Sequence, residues 1–396
     1  MRRRRPALLV GLALFAHGCG DPGPPAGPAT LGIEVRAASE ERGTVVEALE
    51  EDGPAARAGL EPGDLVVALD GVPMADSCGF GRALGERAPG DKVVLAWRRG
   101  RERREATVEL AAALDLYGAA CEKGRVASCH RLGTAHLGGG METDFARAAE
   151  IFEKACDAGS AGACADLGMQ ALHGTGIALD TARARNLFRR GCDGGSAVGC
   201  TRLGFLYATG TGVAMDDDRA FSLFRQACDG ADAAGCYNFA LHFADARGTF
   251  ANPSLAVATY ERACALGSFL ACTNAGYQHQ NGLGTQADLR RAVTYYRRAC
   301  SGTACEPGDP MGCFNLGVML RDGLGVAQDK AEAATFFTAG CDGGNASGCA
   351  NLADLLAAGD GVPRDETRAA ELFRRACEGG HERSCRFRES LPAETP

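Results

Sequence analysis

Sixteen of the nineteen cysteines in this 396-residue chain fall into eight couples, and seven of the couples have the form Cys, seven residues, Cys. The couples are Cys121 and Cys129, Cys156 and Cys164, Cys192 and Cys200, Cys228 and Cys236, Cys264 and Cys272, Cys300 and Cys313, Cys341 and Cys349, and Cys377 and Cys385. They recur about every 36 residues, and only the sixth is stretched, by five inserted residues. A fixed period between roughly 20 and 50 residues marks a solenoid, in which each unit buries its apolar face against its neighbours. The length is too great for one compact core, and 46% apolar residues is ordinary for a globular chain.

The same period carries three more positions. Four residues before each first cysteine stands an aromatic: Tyr117, Phe152, Phe188, Phe224, Tyr260, Tyr296, Phe337 and Phe373. Eight before it stands alanine: Ala113, Ala148, Ala184, Ala220, Ala256, Ala292, Ala333 and Ala369. Steps of four place cysteine, aromatic and alanine on one helical stripe, with the alanine small enough for a neighbouring helix to approach. Twelve before it come Asp144, Asp180, Asp216, Asn252, Asp288, Asp329 and Asp365, residues suited to cap the first turn of that helix. A carboxylate so engaged is a poor catalyst, and Asp216-Asp217-Asp218 is a cap with two exposed neighbours. The other helix of each unit opens near the second cysteine, as in Cys164-Ala165-Asp166-Leu167-Gly168, and closes on a glycine turn such as Gly174-Thr175-Gly176. Those glycines supply positive φ, and their fixed place in the repeat argues against a phosphate cradle. One unit departs from the pattern, with Ala246-Arg247-Gly248 at its turn.

Together these positions resemble the Sel-1-like repeat, a tetratricopeptide-related αα unit, and the added Cys-x7-Cys resembles the Hcp-type cysteine-rich family. The resemblance spans residues 112–388, as seven complete units with a half-unit at each end, and implies an all-α repeat solenoid. It also implies that each couple is a disulfide joining a helix end to the next helix across a short turn. Loop closure of that length contributes about 2.5 kcal/mol per bridge, by a disputed entropic account. Zinc is the rival use of so many cysteines, but couples one unit apart lie roughly 10 Å from each other, and no paired Cys-x2-Cys accompanies them. Cys305 lies inside the insertion, eight before Cys313, and competes with Cys300; the match of Tyr296-Arg297-Arg298-Ala299-Cys300 to the other helix ends favours Cys300. Cys78 and Cys305 are then free thiols or paired with each other, which the sequence leaves open.

Residues 30–111 lack the couples and show short β-rich runs separated by turns, among them Leu31 to Val35, Thr44-Val45-Val46, Leu65 to Leu69, Val93 to Trp97 and Ala106 to Leu110. The stretch from Gly53 to Asp64, Gly-Pro-Ala-Ala-Arg-Ala-Gly-Leu-Glu-Pro-Gly-Asp, resembles the central signature of bacterial PDZ domains. The fold class is therefore multidomain, a small β-rich PDZ domain followed by the solenoid. The resemblance implies a groove that takes an extended peptide as an added strand, with backbone amides receiving its terminal carboxylate. Leu31, Gly32, Ile33 and Val35 match the groove loop and strand, and Phe80 and Leu84, four apart on the groove helix, are the candidate pocket. Plain core packing is the competing role for these side chains. Arg98, Arg99, Arg101, Arg103 and Arg104 are expected on a solvated hairpin. No Gly-x-Ser-Gly loop and no His-Glu-x-x-His helix accompanies the module.

Residues 1–18 have the anatomy of a secretory signal: Arg2 to Arg5, then an apolar run from Ala7 to Ala16 too short to span a bilayer. Cleavage before Cys19 would resemble bacterial lipoprotein processing and leave a lipid on that cysteine, although Ala16 and His17 depart from the usual motif. Residues 19–29 then form a Pro/Gly tether reaching up to roughly 30 Å, and 389–396 a tail. Either cleavage exports the chain, as a periplasmic or outer-membrane lipoprotein or a secreted protein. The formal charge of -8 argues against nucleic acid, and no cofactor or metal is implied.

In tetratricopeptide-like solenoids the first helix of each unit lines the concave face. The second residue after each opening cysteine then forms a file that ends in Asn238, Asn274, Asn315 and Asn351, candidates to grip a peptide backbone. Bonds within their own repeats are the alternative. The histidines lack metal-ligand spacing. The expected function is an envelope adaptor that binds proteins or peptides. The alternative is the penicillin binding or weak β-lactamase activity associated with the Hcp-type family, though neither Ser-x-x-Lys nor His-x-His-x-Asp occurs in the chain.

Overall fold

The structure, a computed structural model, describes residues 29–37, 43–74, 77–85, 87–137, 143–302 and 308–390. The signal, most of the tether and tail, Cys19, Cys305 and the side chain of Cys78 lie outside the described residues. The N-terminal part contains β1 (Ala29–Thr30), β2 (Ile33–Ala37), β3 (Thr44–Leu49), α1 (Pro54–Arg57), β4 (Leu65–Leu69), β5 (Val72–Pro73), α2 (Ser77–Gly85), β6 (Lys92–Arg99), β7 (Glu102–Glu109) and β8 (Ala111–Ala112). Strands β2, β3, β4, β6 and β7 lie in that order in one antiparallel sheet, with β5 beside β4, while β1 pairs only with β8. Alternation along β6 sends Val93, Leu95 and Trp97 inward to a core shared with Leu31, Ile33, Val66, Phe80 and Leu84.

The arginines lie on a hairpin as expected, with Arg101 and Arg103 exposed, but Arg99 is engaged. Strands β6 and β7 continue through Arg98 and Arg99 on one side and Arg103 and Arg104 on the other, so only Gly100 and Arg101 remain as the turn. Arg99 reaches back to the turn before β4, giving a forked pair of 2.8 Å hydrogen bonds to Asp64 and one of 2.7 Å to Glu61. The Arg99 cation and the Glu61 amide outweigh burial and hold the Asp64 carboxyl below its ordinary pKa.

After β8 the chain is helical: α3 (Ala113–Glu122), α4 (Val126–Ala135), α5 (Phe145–Asp157), α6 (Ala161–His173), α7 (Thr181–Asp193), α8 (Ala197–Thr209), α9 (Asp217–Asp229), α10 (Ala233–Asp245), α11 (Pro253–Ala265), α12 (Phe269–Asn281), α13 (Leu289–Ser301), α14 (Pro310–Asp322), α15 (Lys330–Asp342), α16 (Ala346–Ala358), α17 (Glu366–Glu378) and α18 (Glu382–Ser390). The alanine and aromatic stripe lies on the odd-numbered helices, where Ala148, Ala184, Ala220, Phe152, Phe188 and Tyr296 are fully buried. The Leu-Gly of the even helices has a steric cause. A Cβ on Gly168 would stand 2.6 Å from the Phe188 ring, and the same collision recurs between Gly317 and Phe337.

Each expected cap accepts an amide of the next turn, as Asp180 does from Arg183 at 2.8 Å and Asp365 from Arg368 at 2.9 Å. The even helices have caps as well, namely Ser160, Ser196, Asp232, Ser268, Asp309 and Asn345, which the repeat pattern did not single out. All eight couples are disulfides joining an odd helix to the following even one, and Cys313 pairs with Cys300. Even helices touch the next even helix, α6 with α8, α8 with α10 and α14 with α16, and so form the more tightly spaced inner layer.

The two parts are joined by a buried polar contact. Arg131 of α4 bonds Glu50 at 2.5 Å and Glu34 of β2 at 2.7 Å, Ser128 bonds Glu50 at 2.6 Å, and the Arg131 and Glu50 side chains are only 7% and 3% exposed. The Arg131 guanidinium also lies 5.9 Å from the centre of the Tyr117 ring.

Breaking a buried pair strands one charge and typically costs about 3–5 kcal/mol. Arg131→Met is expected to lower stability by roughly that amount, and Arg131→Met with Glu50→Leu to recover at least half of it, as read by urea denaturation followed at Trp97. A second expectation concerns Ala246, which occupies the left-handed region at φ 57 where the other turns have glycine. Ala246→Gly should stabilise by up to about 1 kcal/mol, seen as a higher urea midpoint with unchanged slope.

Candidate functional site

Strand β2 is the end strand of its sheet, so among the described residues its outer edge pairs with nothing. Helix α2 packs against β1 and β2, and Leu31, Ile33, Val35, Phe80 and Leu84 converge in one core cluster. The structure brings the expected groove residues together but leaves their side chains closed: Phe80 is 1% and Leu84 0% exposed. What β2 presents to a partner is backbone. A spacing of four placed Phe80 and Leu84 on one face of α2 without fixing whether that face met a peptide or the core.

Gly32 takes φ +70, and a Cβ there would lie 2.9 Å from Leu116 of α3 and 3.3 Å from Glu50. The space beside this glycine is therefore filled by the solenoid itself. Its amide donates to the Thr30 hydroxyl at 3.0 Å, and that hydroxyl shares a 3.1 Å bond with the Tyr117 phenol. Burial raises the pKa of Tyr117, so the phenol is neutral. With Glu34 held by Arg131, the first two solenoid helices grip β2 at its loop and along its length.

On the inner layer, Asn238 and Asn351 each give a 2.8 Å bond to the carbonyl four residues earlier, those of Ala234 and Ser347. Asn351 also accepts from Arg321, and Asn274 is hydrogen-bonded with Tyr237 of the preceding unit. Asn315 is half-buried beside them. The asparagine file is thus largely engaged with its own solenoid. Not foreseen from the sequence are the residues one turn further along the same helices, Met169, Phe205, Leu241, Tyr277 and Val318, which stand partly or fully exposed at equivalent places in successive units. An apolar residue five places after Cys164, Cys200, Cys236, Cys272 and Cys313 alike was the signal that could have found them.

Among the described residues no cluster of three or more His, Cys, Asp or Glu side chains is placed to hold a metal ion. The histidines have other partners: His130 bonds Asp166 at 2.7 Å, and buried His279 bonds Glu261 at 2.8 Å and stacks on Tyr295. No helix among the described residues is long and apolar enough to cross a membrane.

Residues 29–110 match the PDZ domain family, and seven segments between residues 126 and 381 match the Sel1 repeat. The chain is 36% identical over 84 residues to a probable periplasmic serine endoprotease DegP-like protein of Brucella suis, which covers 21% of this chain and 15% of that protein. It thus spans about a seventh of that relative's length. Among solved structures it is similar to c5321, a protective antigen of uropathogenic Escherichia coli with an SLR fold, at 25% identity and a TM-score of 0.61, covering 69% of this chain and 58% of that one. It is also similar to cysteine rich protein B of Helicobacter pylori, at 29% identity over 34% of this chain and 98% of that one, with a TM-score of 0.28. The Sel1 segments alone take up more than half of the sequence, and the chain belongs to the Sel1 repeat family, here preceded by a PDZ domain.

Proposed function

We propose that this protein is a non-catalytic adaptor of the cell envelope, holding proteins or peptides at two faces: the free edge of β2 and the concave layer of even helices. The observation that carries it is the β2 edge, a row of backbone donors and acceptors unpaired among the described residues and fastened to a solenoid by Arg131, Tyr117 and Leu116. An extended segment added to such an edge gains main-chain hydrogen bonds, and side-chain contacts select its sequence. Leu31, Gly32, Ile33 and Val35 would form the near wall of that groove, with Phe80 and Leu84 supporting it from beneath. On the concave layer, Asn238, Asn274, Asn315 and Asn351 stand beside the partly exposed apolar file. Eight disulfides favour an oxidising compartment. Lipidation at Cys19 would hold the protein at a membrane surface, with the tether letting both faces turn outward.

Photo-reactive side chains at Glu34 and at Tyr277 should capture discrete partners in intact cells, whereas one at Arg225, exposed on an outer helix, should not. Equal yields at all three positions would contradict the placement of both faces. Cys19→Ser should release the chain from the membrane fraction, and the purified protein should hydrolyse a chromogenic cephalosporin no faster than a boiled control.

A further inference from the structure

Positions two and five after the opening cysteine of an even helix lie about 60° apart on the helix, opposite the residues that face the odd helices. They line the concave layer side by side, and the cross-unit bonds His130 to Asp166 and Arg321 to Asn351 show that neighbouring units touch there. The polar members of the first file are nearly all engaged. Arg131 is held by Glu34 and Glu50, Asp166 by His130, Asn238 and Asn351 by their own helices.

Arg202 is the exception. Among the described residues it makes no hydrogen bond or ion pair, and its Nε is buried with no acceptor. Two carboxylates act on it through charge alone: Asp166 is bonded to His130, and Asp232 accepts from Thr201 and from the Gly235 amide, both at 2.6 Å. Burial lowers the Arg202 pKa, opposed by those two carboxylates, yet a guanidinium remains charged at any physiological pH. A half-buried cation with open donors is an uncommon feature in a finished surface. Phe205, one turn further along α8, and Met169 and Leu241 at the same place in the adjoining units lay an apolar strip beside it.

We propose that Arg202 is the anchor for a carboxylate of an extended peptide lying along the concave face, with apolar side chains of that peptide on Met169, Phe205 and Leu241. The proposal rests on the reading of the concave layer as a protein-binding face. A planar carboxylate matches the guanidinium fork and takes up the free donors in charge-assisted bonds. A phosphate is disfavoured, because Asp166 and Asp232 near the same cation would repel a second negative charge.

The test is a library of random octapeptides with free C-termini, selected on the complete oxidised protein. Selected peptides should contain apolar residues and a carboxylate, and should bind Arg202→Gln about ten- to a hundredfold more weakly, with Arg202→Lys in between. Amidating the C-terminus, or replacing Asp and Glu by Asn and Gln, tells whether the carboxylate is the terminus or a side chain, and one of the two must cause the same loss. Thermal midpoints of both variants should stay close to the parent, since among the described residues Arg202 makes no hydrogen bond or ion pair within the solenoid; a large drop would assign it a structural role and overturn the proposal. Peptides that bind Arg202→Gln undiminished would overturn the anchor while leaving the adaptor standing on β2. A library that yields no binder would overturn both.

Discussion

A helix of thirteen residues with one apolar stripe cannot be stable alone in water, and every helix from α5 to α17 in this protein is thirteen residues long. Each must bury its aromatic and alanine against neighbours before and after it. A buried aromatic contributes about 2–3 kcal/mol, comparable to one bridge across a junction, so packing and disulfide act at the same place with similar weight. Glycine at the facing position lets the ring sit directly on backbone in most units, while two units carry a buried alanine there instead, Ala240 and Ala353. The stack therefore needs a beginning and an end that do not expose the stripe.

At the beginning, that need is met by the PDZ domain. The first half-unit, α3, follows β8 directly, and Tyr117 on its stripe is buried against Thr30 and Arg131. The same surface of the domain carries Glu50 and Gly32, so the element that closes the solenoid also braces the strand that would receive a peptide. A partner that shifted β2 would have to work against α3 and α4. The two proposed binding faces are thus mechanically connected through one small polar interface.

Much of this was legible in the sequence because the repeat multiplies each signal. One aspartate before a helix is ambiguous, but seven at a fixed offset from a cysteine define a cap, and seven were found accepting the expected amides. The caps of the even helices were less visible because serine, aspartate and asparagine share that place within the Cys-x7-Cys loop. The pairing of Cys300 with Cys313 followed from the match of helix ends despite Cys305. The Glu50 to Arg131 contact was not legible at all, since the two residues are 81 apart in different domains and neither repeats. The closure of Phe80 and Leu84 into the core depends on the tilt of α2, which no local pattern encodes. The half-buried Arg202 is similar, one of three departures, with Arg131 and Asp166, in a file read for its asparagines.

The central claim is that the β2 strand and the first solenoid helices open only together. Native-state hydrogen exchange, followed residue by residue on the oxidised protein, tests it most directly. The account predicts that the amides of β2 and of α4 share one opening free energy, and that both lose protection to the same extent when Arg131 is replaced. Exchange in β2 that is orders of magnitude faster than in α4, and indifferent to that replacement, would contradict it.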